Sequence, residues 1–138
     1  MGDKKWRNLL ARHNEIIREQ LNRFRGDEVA TTGDGFFAVF DGPARAIRCG
    51  KSIQKAISEL GIEIRVGLHT GECEVLESGY AGIAVHIGSR VMQYASPKQV
   101  LVTSTVKDLV AGSELEFIDQ GVHTLKGVPN KWHLYAAR

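Results

Sequence analysis

Asp34 sits between two glycines in TTGDGFFAVF (31–40), where one β-rich run ends and another begins. A carboxylate on a tight turn is open on several sides. That suits a hard cation such as Mg²⁺, which prefers oxygen ligands and keeps some of its waters. Asp-Gly also makes hairpin turns for backbone reasons alone, because such turns need positive φ angles. Holding a pair of ions would take a second acid beside Asp34. In GIAVHIGSR (82–90), Gly82, His86 and Arg90 recur every four residues and share one helix face. A small residue, a hydrogen-bonder and a guanidinium in a row suit an anionic ligand, although an ordinary surface helix also carries such residues. Lys126 precedes Gly127 in TLKGVPNKW (124–132). A lysine at a glycine corner can reach a phosphate, or simply meet solvent. No Walker loop, dinucleotide glycine fingerprint, Ser/His/Asp order or His/Cys cluster is present.

The elements that must position these residues follow from periodicity. Leu9, His13, Ile16, Ile17, Leu21 and Phe24 predict an amphipathic helix over 3–25, with Asp3 as N-cap and Gly26-Asp27 as its end. His13 reads as a core or interface histidine. EVATT (28–32) and GFFAVF (35–40) read as strands of a hairpin. Pro43 suits the first position of a second helix, whose stripe is Ala46, Cys49, Ile53, Ile57 and Leu60 and which Gly61 closes. IEIRVGLHTGE (62–72) is a strand, CEVLE (73–77) is expected to pair back with it, and SGYAG (78–82) is a loop. A third helix runs to about Tyr94, with Ile83, Ile87, Val91 and Tyr94 as its buried face. QVLVTS (99–104) is a strand, and Thr105 and Asp108 have capping-box spacing for a short helix over 105–112. LEFIDQG (115–121) and WHLYAA (132–137) are the final strands. Trp6, Trp132, Phe36 and Phe37 read as packing groups.

The order α-β-β-α-β-β-α-β-α-β-β predicts an α+β fold with a largely antiparallel sheet. Its middle matches a β-α-β-β-α-β unit whose first strand is absent. That strand would lie inside the sheet. Without it, two neighbours each face a lane of unpaired N–H and C=O groups, costly when buried and adhesive when exposed. The lane is expected to be filled by a swapped strand, a rearranged sheet or an upstream segment.

The 138 residues suit one domain large enough to bury a core. The formal net charge of +2 is too small to argue for nucleic acid, and the basic excess in KKWRNLLARHNEIIREQLNRFR (4–25) reads as a solvated helix face. No run of about 18 apolar residues or signal-peptide pattern occurs, so neither a nucleic-acid nor a membrane partner is expected. Cys49 and Cys73 lack metal or disulfide-framework spacing, which points to a reduced, cytoplasmic setting.

Six segments, in order and spacing, resemble the catalytic domain of class III adenylate/guanylate cyclases, in its bacterial, actinobacterial-type branch. They are EVATTGDGFFAVF (28–40), DGPARAIRC (41–49), IRVGLHTGE (64–72), GIAVHIGSRV (82–91), QVLVTSTVKDLVAGS (99–113) and LKGVPNKWHLYA (125–136). The resemblance covers essentially the whole chain. It implies a ferredoxin-like, palm-type, mainly antiparallel sheet with helices packed on it. It implies two domains paired head to tail, as a homodimer or as a heterodimer with another cyclase domain. It also implies conversion of ATP, or another nucleoside triphosphate, to a cyclic nucleotide and pyrophosphate, using two Mg²⁺ or Mn²⁺ ions held by two aspartates.

Carried over by position, Asp34 matches the second metal aspartate and Arg90 the transition-state arginine. His86 takes the ribose-orienting position, where Asn is commoner, and Lys126 matches the triphosphate lysine. Three departures accompany these matches. The family's first metal aspartate lies on its first strand, which should precede MGDKKW. Ala30 stands where the base-reading lysine belongs, and Gly79 where its aspartate partner belongs. Base discrimination by that pair is expected to be lost and turnover to be feeble. A catalytically dead dimerisation or regulatory module is the alternative.

Overall fold

Apolar residues at helical spacing build α1 (Asp3–Arg23), whose buried side is His13, Ile16, Ile17 and Leu21. The computed structural model describes residues 2–32, 35–76 and 79–138. The chain divides into two compact units, Met1–Glu63 and Ile64–Arg138. In the first unit the expected N-cap moves by one residue. Gly2 caps α1, while Asp3 lies in the first turn, where a negative charge complements the helix dipole. His13 is a core residue, 4% exposed, with Nδ1 2.9 Å from the Asn14 Oδ1. Trp6, by contrast, is 52% exposed and is not the packing group its type suggested.

β1 (Asp27–Thr32) and β2 (Gly35–Val39) pair antiparallel, from Asp27↔Val39 to Thr32↔Gly35, with an irregularity between Glu28 and Ala30. Pro43 then opens α2 (Pro43–Ser58), which buries Ala46, Ile47, Cys49, Gly50, Ile53 and Ile57. Ser52 donates its hydroxyl to the Gln20 Oε1 at 2.7 Å, and the Cys49 thiol lies 3.6 Å from the Gln20 carbonyl. Together they lock α2 to α1. Burial pushes the Cys49 thiol up to about 11, so it stays protonated and inert.

The second unit contains β3 (Val66–Leu68), β4 (Glu74–Leu76), β5 (Gly79–Ala81), α3 (Ile83–Tyr94), β6 (Val100–Thr103), α4 (Ser104–Leu109), β7 (Phe117–Thr124) and β8 (Lys131–Ala137). Its main sheet has the order β3-β6-β8-β7. β3 and β6 are parallel, which requires a crossover, and α3 lies within it. The other pairs among the described residues are antiparallel, so the α+β, palm-type expectation holds. β6 is buried along its whole length. Around it Ile87, Val91, Leu101, Leu125, Val128 and Leu134 form the core, with Trp132 packed against it.

Four local expectations need correction. β4 pairs with β5 (Glu74↔Ala81 to Leu76↔Gly79) and not with β3, so much of the expected 78–82 loop is strand. Only two residues separate β4 from β5, and closing that short link costs little entropy. α4 begins at Ser104 with Thr103 as N-cap and no side-chain cap bond, so Thr105 and Asp108 do not form the capping box. β7 continues past Gly121 to Thr124 through an irregularity between Asp119 and Val122. The buried face of α3 is Ala84, Ile87 and Val91, whereas Ile83 and Tyr94 are exposed.

Among the described residues, β2 pairs only with β1 and β3 only with β6. Each has one edge without a strand partner among those residues. Among the same residues no helix is long and apolar enough to cross a membrane.

Candidate functional site

α3 sets the spacing of the second unit's polar residues. His86 and Arg90 follow each other by four on one stripe. Across from them, β7 passes into β8 through a turn in which the Val128 N–H donates to the Leu125 carbonyl at 3.1 Å. Leu125 and Val128 are buried and anchor that turn, while Lys126 between them is exposed. The His86 Nε2 lies 3.2 Å from the Lys126 carbonyl oxygen. A carbonyl only accepts, so Nε2 carries the hydrogen, and a neutral ring keeps Nδ1 as an acceptor. Gly127 turns the chain there with φ +77°, and a Cβ at that position would come within 3.0 Å of the same Nε2. Both the backbone sign and the tight space favour glycine. His86 and Lys126, forty residues apart in sequence, are therefore brought together.

Arg90 is half-buried. Its guanidinium donates to the Gln93 Oε1 at 3.0 Å, while its Nε is buried with no protein partner. A buried N–H left unpaired costs on the order of 1–3 kcal/mol, which an anionic oxygen would offset. Gly79 opens β5 opposite Leu76 and offers no side chain to a base.

The other sequence-derived positions belong to the first unit. Ala30 is exposed on β1 opposite Phe37, with only a methyl group to present. Asp34 lies outside the described residues. The hairpin that carries it is held by a fork: the Arg18 Nε and Nη2 donate to the Glu28 carboxylate at 2.8 and 3.2 Å. The Thr31 hydroxyl adds a bond of 2.7 Å to the same carboxylate, and the guanidinium stacks 5.3 Å from the Phe36 ring. The bonds from Arg18 and then Thr31 hold Glu28 below its usual carboxylate range. Glu28 is thus committed to Arg18. Asp27 pairs with Val39 at the end of the hairpin away from the turn. Among the described residues no three His, Cys, Asp or Glu side chains gather as a metal cluster.

His69 follows β3, with its Nδ1 2.8 Å from the hydroxyl of the fully buried Thr103 and its ring edge-on to Trp132 at 5.4 Å. Burial lowers its pKa below the ordinary 6.5. The unfolded chain therefore takes up a proton before the folded one does, so stability is full above about pH 6.5 and falls as the pH drops toward the folded value. The urea midpoint of the wild type should fall between about pH 7 and about pH 5, and His69→Gln should flatten that slope. An unchanged slope would refute the assignment.

Residues 3–137 match the family model described as the adenylate and guanylate cyclase catalytic domain. The chain belongs to this family. A Rhizobium meliloti protein that carries an adenylate cyclase name is 26% identical over 136 residues, covering 92% of this chain and 23% of that protein. An uncharacterized Mycobacterium tuberculosis protein is 33% identical over 100 residues, covering 70% of this chain and 35% of its own length. The chain thus spans about a quarter to a third of these relatives. The cyclase fold is also that of the guanylate cyclase domain of RhGC from Catenaria anguillulae, solved in complex with GTP. It superposes with a TM-score of 0.87 at 19% identity, covering 100% of this chain and 86% of that one.

Proposed function

We propose that this cyclase domain binds ATP, or another nucleoside triphosphate, and supplies the Arg90, His86 and Lys126 half of a site shared head to tail with a second cyclase domain. The paired site forms cyclic AMP and pyrophosphate. The observation that carries this reading is the bond between His86 and the Lys126 carbonyl beside the α3 stripe that bears Arg90. When the ribose 3′-oxygen bonds to the α-phosphorus and the bond to pyrophosphate breaks, charge gathers on the phosphate oxygens. A guanidinium and an ammonium on a rigid support stabilise that charge without reorganising. His86, with its Nε2–H committed to the protein, offers Nδ1 to a ribose hydroxyl. Mg²⁺ or Mn²⁺, when bound, would supply Lewis acidity in this chemistry, with Asp34 as the acid of this chain that would hold it.

Ala30 and Gly79 favour a second role for the same half-site: a regulatory partner that completes the site of an intact cyclase domain without reading the base itself. A site without polar groups facing the base discriminates weakly. In this reading Val75 and Ile83, apolar side chains 73% and 54% exposed, are contact points for such a partner.

The test is complementation. A cyclase domain that keeps both metal aspartates but has lost its transition-state arginine is mixed with this chain. Cyclic AMP formation is expected to rise at least about tenfold, since a fixed charge at a transition state is worth a few kcal/mol. The rise should be lost with Arg90→Ala, and also with Val75→Asp, which places a charge at an exposed apolar position. Activity indifferent to the added chain would sink the reading.

A further inference from the structure

The stripe on α3 does not stop at Arg90. Four residues on, the Tyr94 hydroxyl donates to the Thr124 carbonyl at 2.7 Å, and its ring leans on His123 at 5.1 Å between centroids. The backbone entering the lysine turn is therefore held at two carbonyls, Thr124 by Tyr94 and Lys126 by His86. Between them Leu125 points inward, 1% exposed, into the core that Ile87 and Val91 of α3 help to build.

The two helix side chains converge on the turn. Eight residues of helix rise about 12 Å, while two residues of extended chain span about 7 Å. Side chains on a helix lean toward its N-terminus, and the longer tyrosine leans further than the histidine, which narrows the gap. Thr124 is also the last β7 residue paired to β8, opposite Lys131. Beyond it, Lys126 has no strand pairing to hold it. Arg90 sits midway between the two clamping residues, with its Nε buried and unpartnered by protein.

We propose that Tyr94 is a positioning residue that acts with His86 to clamp the Lys126 turn onto α3, setting where the lysine ammonium stands relative to the Arg90 guanidinium for a single polyphosphate. Tyr94 touches no substrate; it acts through the Thr124 carbonyl. This inference deepens the nucleotide reading of the same site and rests on it.

Two measurements on the 138-residue chain test it with Tyr94→Phe, which keeps the ring and removes only the hydroxyl. The first needs no ligand. Hydrogen exchange at the Val128 amide, which donates to Leu125 within the turn, should speed up about three- to tenfold, the value of one modest hydrogen bond. Exchange at the wild-type rate overturns the clamp. The second is calorimetric titration with inorganic tripolyphosphate. Tyr94→Phe should weaken binding about three- to tenfold. Lys126→Ala should then cost less than about twofold in the Tyr94→Phe background, because an unclamped lysine has little left to lose. Losses that simply multiply would show that Tyr94 stabilises the fold without placing the lysine. If wild-type protein binds no tripolyphosphate, the nucleotide reading fails, and the exchange result still decides the clamp.

Discussion

Incubated alone with Mn²⁺ and ATP, the 138-residue chain is expected to make cyclic AMP about a thousandfold more slowly than a cyclase domain carrying two metal-binding aspartates. The estimate rests on one missing charge. A unit charge about 4 Å from an ion is worth roughly 4 kcal/mol at an effective dielectric near 20, and each 1.36 kcal/mol is about tenfold in rate. Glu28 does not make up the deficit. Its two oxygens already accept from Arg18 and Thr31, and turning it toward the hairpin tip would break the fork. Arg90 and Lys126 have the wrong sign for a cation. The measurement is cyclic AMP formation by purified protein across a Mn²⁺ titration, with Arg90→Ala as the control for contaminating cyclase. Fast turnover that Arg90→Ala abolishes would show that the chain does assemble a two-ion centre, and would overturn the charge argument.

Much of this was legible in the sequence where a periodic signal is long. α1, α2 and α3 repeat their apolar residues over three or more turns, and their existence and approximate bounds follow from that. The stripe of His86 and Arg90 was readable for the same reason. Short or distant features were not. β4 and β5 are three residues each, too short to show an alternation, so their pairing had no signature. Gly121 looked like the end of a strand, yet β7 passes through it, because glycine also serves irregular positions inside a sheet. The ring of Tyr94 fits the apolar spacing of a core residue. Its hydroxyl, which carries the contact, is invisible to a hydrophobic pattern. The fork from Arg18 to Glu28 and the single bond from His86 to the Lys126 carbonyl join residues of different elements, ten and forty positions apart, and only the folded backbone brings them together.

Gly67→Ala is expected to unfold the unit Ile64–Arg138 or leave it barely stable. Gly67 lies in β3, and a Cβ there would stand 2.2 Å from the Met92 backbone nitrogen, 2.5 Å from its Cα and 2.7 Å from its Cβ. None of these atoms can rotate away, so α3 itself would have to move. Overpacking a core that yields through its side chains costs about 1–3 kcal/mol. A clash with helix backbone should exceed that range, against a total stability of about 5–15 kcal/mol. The site would fail with the fold, because the helix displaced is the one that carries His86, Arg90 and Tyr94. Gly88 provides the contrast on that same helix. A Cβ there meets nothing within 4 Å, so Gly88→Ala should stabilise by up to about 1 kcal/mol through helix propensity alone. Thermal denaturation of the two variants should move in opposite directions, by more than about 10 °C downward for Gly67→Ala and a few degrees upward for Gly88→Ala. A Gly67→Ala protein that melts within about 2 °C of wild type would mean that α3 does not press on β3 at Met92, and the placement of the α3 stripe would have to be redrawn.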